Sequence, residues 1–146
     1  YKLKKVLYKN KYGDFRIWST EIIENKYKNI NKLFTLTPAI ITIEDRPWKK
    51  EDNIMDAVTR LQANLEKKYK EYFNEELVID NYFIDTLKML NKKPLAYKYK
   101  NISLLGNKFE LIINEDETSQ KLAFTALATG LGEKNSSLGA GFCERR

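Results

Sequence analysis

Four of the chain's six glycines fall within one short stretch, Gly130-Leu131-Gly132-Glu133-Lys134-Asn135-Ser136-Ser137-Leu138-Gly139-Ala140-Gly141, which Phe142 closes. Glycine visits positive φ cheaply and lets another backbone come close, so two Gly-x-Gly pairs around a polar middle describe a shaped loop. A backbone this open presents N–H groups in concavities that attract anions. Lys134, Asn135, Ser136 and Ser137 add one charge and several neutral hydrogen-bonding groups. The chemistry this predicts is recognition of a phosphate-bearing partner. Two familiar Gly-rich motifs do not fit. The nucleoside-triphosphate loop needs Gly-Lys together after a four-residue gap, and the dinucleotide fingerprint needs a strand before its glycines where a helical pattern stands here. On spacing alone a plainer reading stays open, in which Gly130 caps a helix and the rest is a tight turn.

The residues available for catalysis are few. The chain of 146 residues has no histidine, which removes Ser-His and Cys-His chemistry and the commonest metal ligand from it. Its one cysteine, Cys143, permits neither an internal disulfide nor a thiolate cluster, and is expected to be a passive thiol. The acidic run Glu115-Asp116-Glu117 before Thr118 and Ser119 is expected to start a helix, because nothing else in the chain supplies partner ligands for a metal. No cofactor is expected. Nor is there a signal peptide or an apolar run of membrane-spanning length, so an intracellular protein with no membrane partner is expected.

The net charge of +6 is spread unevenly: residues 1–50 carry 12 basic and 5 acidic groups, whereas residues 51–117 carry 10 and 13. From Lys88 to Lys108, ends included, there are six lysines and no acid, interleaved with Tyr97 and Tyr99. That local pattern can neutralise phosphates and stack bases, with Lys98 and Lys100 as the candidate contacts.

The elements that must position these groups follow from periodicity. Residues 1–30 show a basic hairpin-like pattern, Lys2 to Lys9 and then Phe15, Ile17 and Trp18 around a turn near Asn10 to Asp14. Residues 1–32 therefore read as a basic arm, and 33–146 as the folded domain. Phe34 to Ile43 is β-branched and predicts a strand with an edge or bulge at Pro38, followed by a loop from Asp45 to Asp52. Ile54, Val58, Leu61, Leu65, Tyr69 and Phe73 lay one apolar stripe along a helix from about Asn53 to Asn74. Residues 76–94 have no decisive period. Leu95 to Leu104 alternates and predicts a strand, with Gly106-Asn107 as a hairpin turn into Phe109–Ile113. A second helix runs from the acidic cap to Gly130, and Phe142-Cys143 can begin a short last strand. The order is β-α-β-β-α-β, an α+β ferredoxin-like (RRM-like) fold with two helices on one face of a four-stranded antiparallel sheet.

Taken with the Gly-rich stretch, that order resembles the C-terminal half of the CRISPR-associated repeat-RNA endoribonucleases, the sixth Cas family, within the repeat-associated mysterious protein (RAMP) superfamily. The hallmark is Gly-hydrophobic-Gly, a polar Lys-containing spacer, then Gly-hydrophobic-Gly, and Gly130 to Phe142 supplies it with Ala140 as the small apolar member. The strand Phe34-Thr35-Leu36-Thr37-Pro38 resembles the one that opens that family's second domain.

The resemblance implies a prokaryotic cytoplasmic protein of two tandem ferredoxin-like domains that cuts precursor CRISPR RNA within its repeats. Cleavage in that family needs no metal and uses the upstream 2′-hydroxyl as nucleophile. The groups that act there, typically a His with Tyr or Lys, belong to the first domain. No catalytic residue is therefore carried over to this chain, which alone is expected to be inactive. The residues expected to face RNA are Gly130, Gly132, Lys134, Asn135, Ser136, Ser137, Gly139 and Gly141, with Lys98 and Lys100. The expected partners are CRISPR repeat RNA and an N-terminal ferredoxin-like domain preceding residues 1–32, and beyond these other CRISPR effector subunits or a second copy. The alternatives are a non-catalytic repeat-RNA-binding protein and a scaffold subunit of a CRISPR ribonucleoprotein.

Overall fold

The computed structural model describes residues 7–10, 13–16 and 29–146. Strands β1 (Leu7–Asn10) and β2 (Gly13–Arg16) pair antiparallel, so a hairpin forms where the basic arm predicts one; its turn and flanks lie outside the described residues. The domain then runs β3 (Lys32–Thr35), β4 (Thr42–Ile43), β5 (Arg46–Pro47), α1 (Ile54–Phe73), β6 (Ile84–Met89), β7 (Leu95–Tyr99), β8 (Ile102–Gly106), β9 (Phe109–Ile113), α2 (Glu117–Thr129), α3 (Asn135–Leu138) and β10 (Cys143–Arg145).

The four-stranded sheet has the order β10-β3-β9-β6, with every neighbour antiparallel. Without the small hairpins β4–β5 and β7–β8 and the turn of α3, the chain reads β3-α1-β6-β9-α2-β10, the split ferredoxin-like order. Its register places Leu33, Leu111 and Leu87 in one row and Phe34, Glu110 and Lys88 in the next. Period-2 alternation sends these rows to opposite faces. The leucine row packs under the helices, with Leu33, Phe83, Phe109, Leu111, Leu61, Leu65 and Leu122 fully buried. Each such side chain contributes about 1.5–3 kcal/mol relative to exposure. The other face carries Lys32 paired with Glu110 at 3.5 Å, and Phe34 under the Arg146 guanidinium at 4.5 Å.

Both long helices form for the reasons their sequences give. In α1, Asn53 accepts from the Met55 N–H at 2.9 Å, and Asn74 closes the helix in the left-handed region. Val58, Leu61, Leu65 and Tyr69 are buried, while Ile54 and Phe73 at the stripe's ends are exposed. In α2, the Asp116 carboxylate accepts from the Ser119 N–H (3.0 Å) and hydroxyl (2.5 Å), so the acidic run is a cap. These bonds to its ionised form hold the Asp116 pKa below the ordinary value.

Two strand expectations are corrected. The strand expected over Phe34–Ile43 stops at Thr35: the Leu36 N–H makes one last bond to Phe142 O (2.7 Å), but the Phe142 N–H donates to the Thr37 hydroxyl (2.8 Å) and Pro38 has no N–H to extend a ladder. Within the expected Asp45–Asp52 loop, Arg46 and Pro47 pair back onto β4. Leu95–Leu104 is two strands, β7 and β8, paired to each other across a turn at Lys100-Asn101, where Lys100 takes the left-handed conformation at φ 54°. Gly106-Asn107 is not a hairpin turn. Asn107 pairs with Ala39, and the glycine is needed because a Cβ at 106 would stand 2.9 Å from Ala39 O. The partner of β9 is β6, from the stretch without a decisive period; a register shift between Ile84 and Thr86 breaks the alternation there.

Candidate functional site

The Gly-rich stretch packs against the end of the sheet that β3 vacates. Leu131 is fully buried, and its N–H donates to Gly141 O (2.7 Å), so the two Gly-x-Gly pairs lie against each other. Glu133 N–H donates to Ile40 O (3.0 Å) and Gly141 N–H to Pro38 O (2.9 Å). Thr37 bridges both ways, its hydroxyl donating to Gly139 O (2.6 Å) and accepting from the Phe142 N–H (2.8 Å). Such approaches require glycine: a Cβ on Gly132 (φ 74°) would lie 2.5 Å from Ile40 O, and one on Gly141 (φ 66°) 1.8 Å from Leu131 O.

This packing changes the role expected for the glycine amides. The N–H groups of Gly130, Gly139 and Gly141 donate to Ala126 O, Asn135 O and Pro38 O at 2.8, 2.8 and 2.9 Å, so they are spent on the fold instead of facing a ligand. What the loop turns outward is side chain: Lys134, Ser136 and Ser137 are exposed.

Beneath the loop stands Lys68 of α1. Its ammonium donates to Gly130 O (2.9 Å), Gly132 O (3.0 Å) and Asn135 Oδ1 (2.6 Å), three acceptors for three donors. Asn135 completes the arrangement, its Nδ2 donating to Leu131 O (3.1 Å) and Ala140 O (2.7 Å). Asn135 is therefore a strut within the loop. Burial pushes the Lys68 pKa down to about 8, against the opposing pull of the Glu133 carboxylate.

The folded value lies below the ordinary 10.5, so between these values the unfolded chain binds more protons, and this group's contribution to stability rises with pH across that window. The positive charge under the loop is lost as pH rises through about 8. We expect one lysine side-chain resonance to titrate near pH 8, absent in Lys68→Met, and anion binding at the loop to be weaker at pH 9 than at pH 7.

Between α1, the end of α2, the loop and the tip of the β7–β8 hairpin lies a cleft of about 860 Å³. Asn64, Lys68 and Tyr72, four residues apart along α1, form one wall, and Tyr99 and Lys134 stand among the opposing groups. The Lys134 ammonium is 5.9 Å from the centroid of the Tyr99 ring. Lys100 is at the hairpin turn, its ammonium 5.4 Å from the same centroid. Lys98 is exposed between Tyr97 and Tyr99 and does not line the cleft, since strand alternation sends it to the other side.

Tyr97 has a fixing role. Its hydroxyl donates to Pro38 O (2.9 Å), the same carbonyl that receives Gly141, and its burial raises its pKa. Tyr97→Phe should cost about 1 kcal/mol and speed amide exchange over residues 95–106 while leaving the sheet protected.

Of the expected site residues, the structure brings Gly130, Gly132, Lys134, Asn135, Ser136, Ser137 and Gly139 to the cleft; Gly141 lies behind it and Lys98 and Lys100 outside it. Sequence reasoning passed over Lys68, Asn64 and Tyr72. On the helix surface Lys68 is one of three basic residues among Lys67, Lys68 and Lys70, and only the folded loop singles it out. The Asn64 Oδ1 is buried without a hydrogen-bond partner. Chemically, the cleft offers cations, hydroxyls and aromatic surface. Its one carboxylate held by the fold, Glu133, is engaged by the Thr42 hydroxyl (3.0 Å) and by Arg60 (3.4 Å). Among the described residues there is no cluster of three metal-ligating side chains, and no helix is long and apolar enough to cross a membrane.

Comparison with known proteins bears on this arrangement. The CRISPR-associated endoribonuclease Cas6 2 of Methanocaldococcus jannaschii is 28% identical over 146 residues, covering 89% of this chain and 60% of that protein. A solved structure, CRISPR associated protein Cas6, superposes with a TM-score of 0.67 at 24% identity, over 92% of this chain and 55% of the other, and supports the fold. The chain thus spans about 60% of the length of the curated relative it matches. The family model for CRISPR associated protein Cas6, C-terminal, matches residues 19–145, which include the whole sheet, α1, α2 and the Gly-rich loop. The chain belongs to the Cas6 C-terminal family.

Proposed function

We propose that this chain is the C-terminal portion of an endoribonuclease that cuts precursor CRISPR RNA within its repeats, and that this portion holds the RNA at the Gly-rich loop. The relative named as an endoribonuclease supports the activity, and the loop's geometry supports the division of labour. The observation that carries the reading is the clamp itself. Four glycines and Lys68 fix a loop whose outward groups, Lys134, Ser136 and Ser137, face the cleft beside Tyr99.

Metal-independent cleavage of an RNA phosphodiester needs a proton acceptor at the 2′-hydroxyl and charge stabilisation at the phosphorane. This chain supplies cations to hold the phosphate backbone, with Lys134 and Lys100 nearest the cleft mouth and Lys98 on the hairpin's other side. It has no histidine to act as base. The base belongs, on this reading, to an N-terminal ferredoxin-like domain, and the enzyme works in the prokaryotic cytoplasm. Gly130, Gly132, Gly139 and Gly141 shape the loop, and Asn135 braces it.

The absence of histidine also favours a second reading, a repeat-RNA-binding protein without chemistry, acting alone, as a second copy or within a larger CRISPR ribonucleoprotein. The two part on a single assay of the protein carrying this chain. Repeat RNA is cleaved in chelator on the first reading and bound intact on the second. Lys134→Ala should weaken repeat-RNA binding and reduce its salt slope by about 1. Unchanged affinity in a correctly folded variant would remove the loop from the interface.

A further inference from the structure

We infer that the tip of the β7–β8 hairpin and the Gly-rich loop together form a subsite for one unpaired nucleotide, with its base stacked on Tyr99 and its phosphate bridging Lys100 and Lys134. The inference rests on the RNA-binding reading above and adds to it the identity of the stacking group and a requirement for single-stranded RNA.

Three observations carry it. Two ammonium groups flank one aromatic ring, at 5.4 and 5.9 Å from its centroid, and neither is in an ion pair among the described residues. Each ammonium lies within 6 Å of the ring centre, so both charges favour an anion beside that ring. Both lysines take left-handed backbone at φ 54° and 59°, a conformation that an ordinary side chain rarely adopts. Finally, the two hairpin tyrosines are put to different uses. Tyr97 is tied to Pro38 O, whereas the Tyr99 ring lines the cleft of about 860 Å³ with the Lys100 and Lys134 ammonium groups beside it.

A lysine over an aromatic face occupies the place a base takes when it stacks. An arriving nucleotide offers Lys134 a phosphate in exchange for the ring, and the freed ring takes the base. A paired base cannot reach the ring without leaving its duplex, so the subsite selects unpaired RNA.

The test compares this chain with its Tyr99→Leu, Tyr99→Phe, Lys100→Ala and Lys134→Ala variants, on a single-stranded repeat RNA and a blunt duplex RNA of equal length, across salt concentrations. Tyr99→Leu should lower single-strand affinity about tenfold or more at an unchanged salt slope. Tyr99→Phe should stay within about twofold of the original, and duplex binding should not respond to either change. Each lysine variant should reduce the single-strand slope by about 1. Unchanged single-strand affinity in Tyr99→Leu, or an equal loss on duplex, overturns the subsite while leaving RNA binding in place. Failure of the unmodified chain to bind any RNA overturns both.

Discussion

Replacing Gly141 by alanine is expected to destabilise the domain by about 3 kcal/mol or more, while the same change at Gly139 costs about 1 kcal/mol. Both residues have positive φ, 66° and 64°, so the conformational penalty is shared. The difference is contact. A Cβ at 141 would lie 1.8 Å from Leu131 O and 2.8 Å from its carbonyl carbon, both backbone atoms of a fully buried residue, whereas a Cβ at 139 meets nothing within 4 Å. Relief at 141 requires breaking the Leu131–Gly141 hydrogen bond that closes the loop, and it pulls on the Gly141 bond to Pro38. Urea unfolding of the two variants measures the contrast directly. Equal midpoints would show that the loop can open at no cost, and the account of it as a clamp would fail.

The second large effect is expected at Lys68. Lys68→Met keeps the aliphatic stem but leaves Gly132 O and Asn135 Oδ1 without the Lys68 donor, and Gly130 O with only a long bond from the Thr129 hydroxyl (3.4 Å). A buried acceptor left unpaired costs about 1–3 kcal/mol. Water can reach part of this half-buried site, so a total of about 2–4 kcal/mol is expected. Lys68→Arg should not restore it, because a planar guanidinium cannot aim donors at three oxygens arranged around a point. The loss should appear both in denaturant midpoint and as at least a tenfold weaker hold on RNA, since the loop that carries Lys134 loses its support. An unaltered midpoint would make Lys68 a surface cation of no structural consequence.

How much of this was legible in the sequence depended on whether the determining contacts were local. Helix α1 could be read to within a residue, because its stripe and both asparagine caps lie within the helix and its ends. The Asp116 cap and the Gly130 terminus of α2 were equally local. Strand β6 was obscured by the register shift after Ile84, which breaks the period on which strands are recognised. The β7–β8 turn is hard to read because Lys100-Asn101 carries no glycine and the left-handed position falls on the lysine, so the two strands look like one ten-residue alternation.

The site divides in the same way. The glycine spacing announced a shaped loop and a helix end at Gly130, but not that the Gly141 amide would be consumed by Pro38, more than a hundred residues away. Lys68 is at the far limit of legibility. Its role depends on two carbonyls more than sixty residues away, and no pattern within α1 distinguishes it from Lys67 or Lys70.

The proposed division of labour, in which this chain holds repeat RNA and groups outside it cut, is open to direct test. The most direct measurement is binding of a labelled CRISPR repeat RNA to this chain as salt is raised, with the RNA recovered from the complex in chelator and sized on a gel. Affinity is expected to fall steeply with salt, as when lysines displace counterions from phosphates, and the RNA to be recovered at full length. Binding that is absent or indifferent to salt would contradict the role of the loop, and cleavage by this histidine-free chain would contradict the assignment of the chemistry elsewhere.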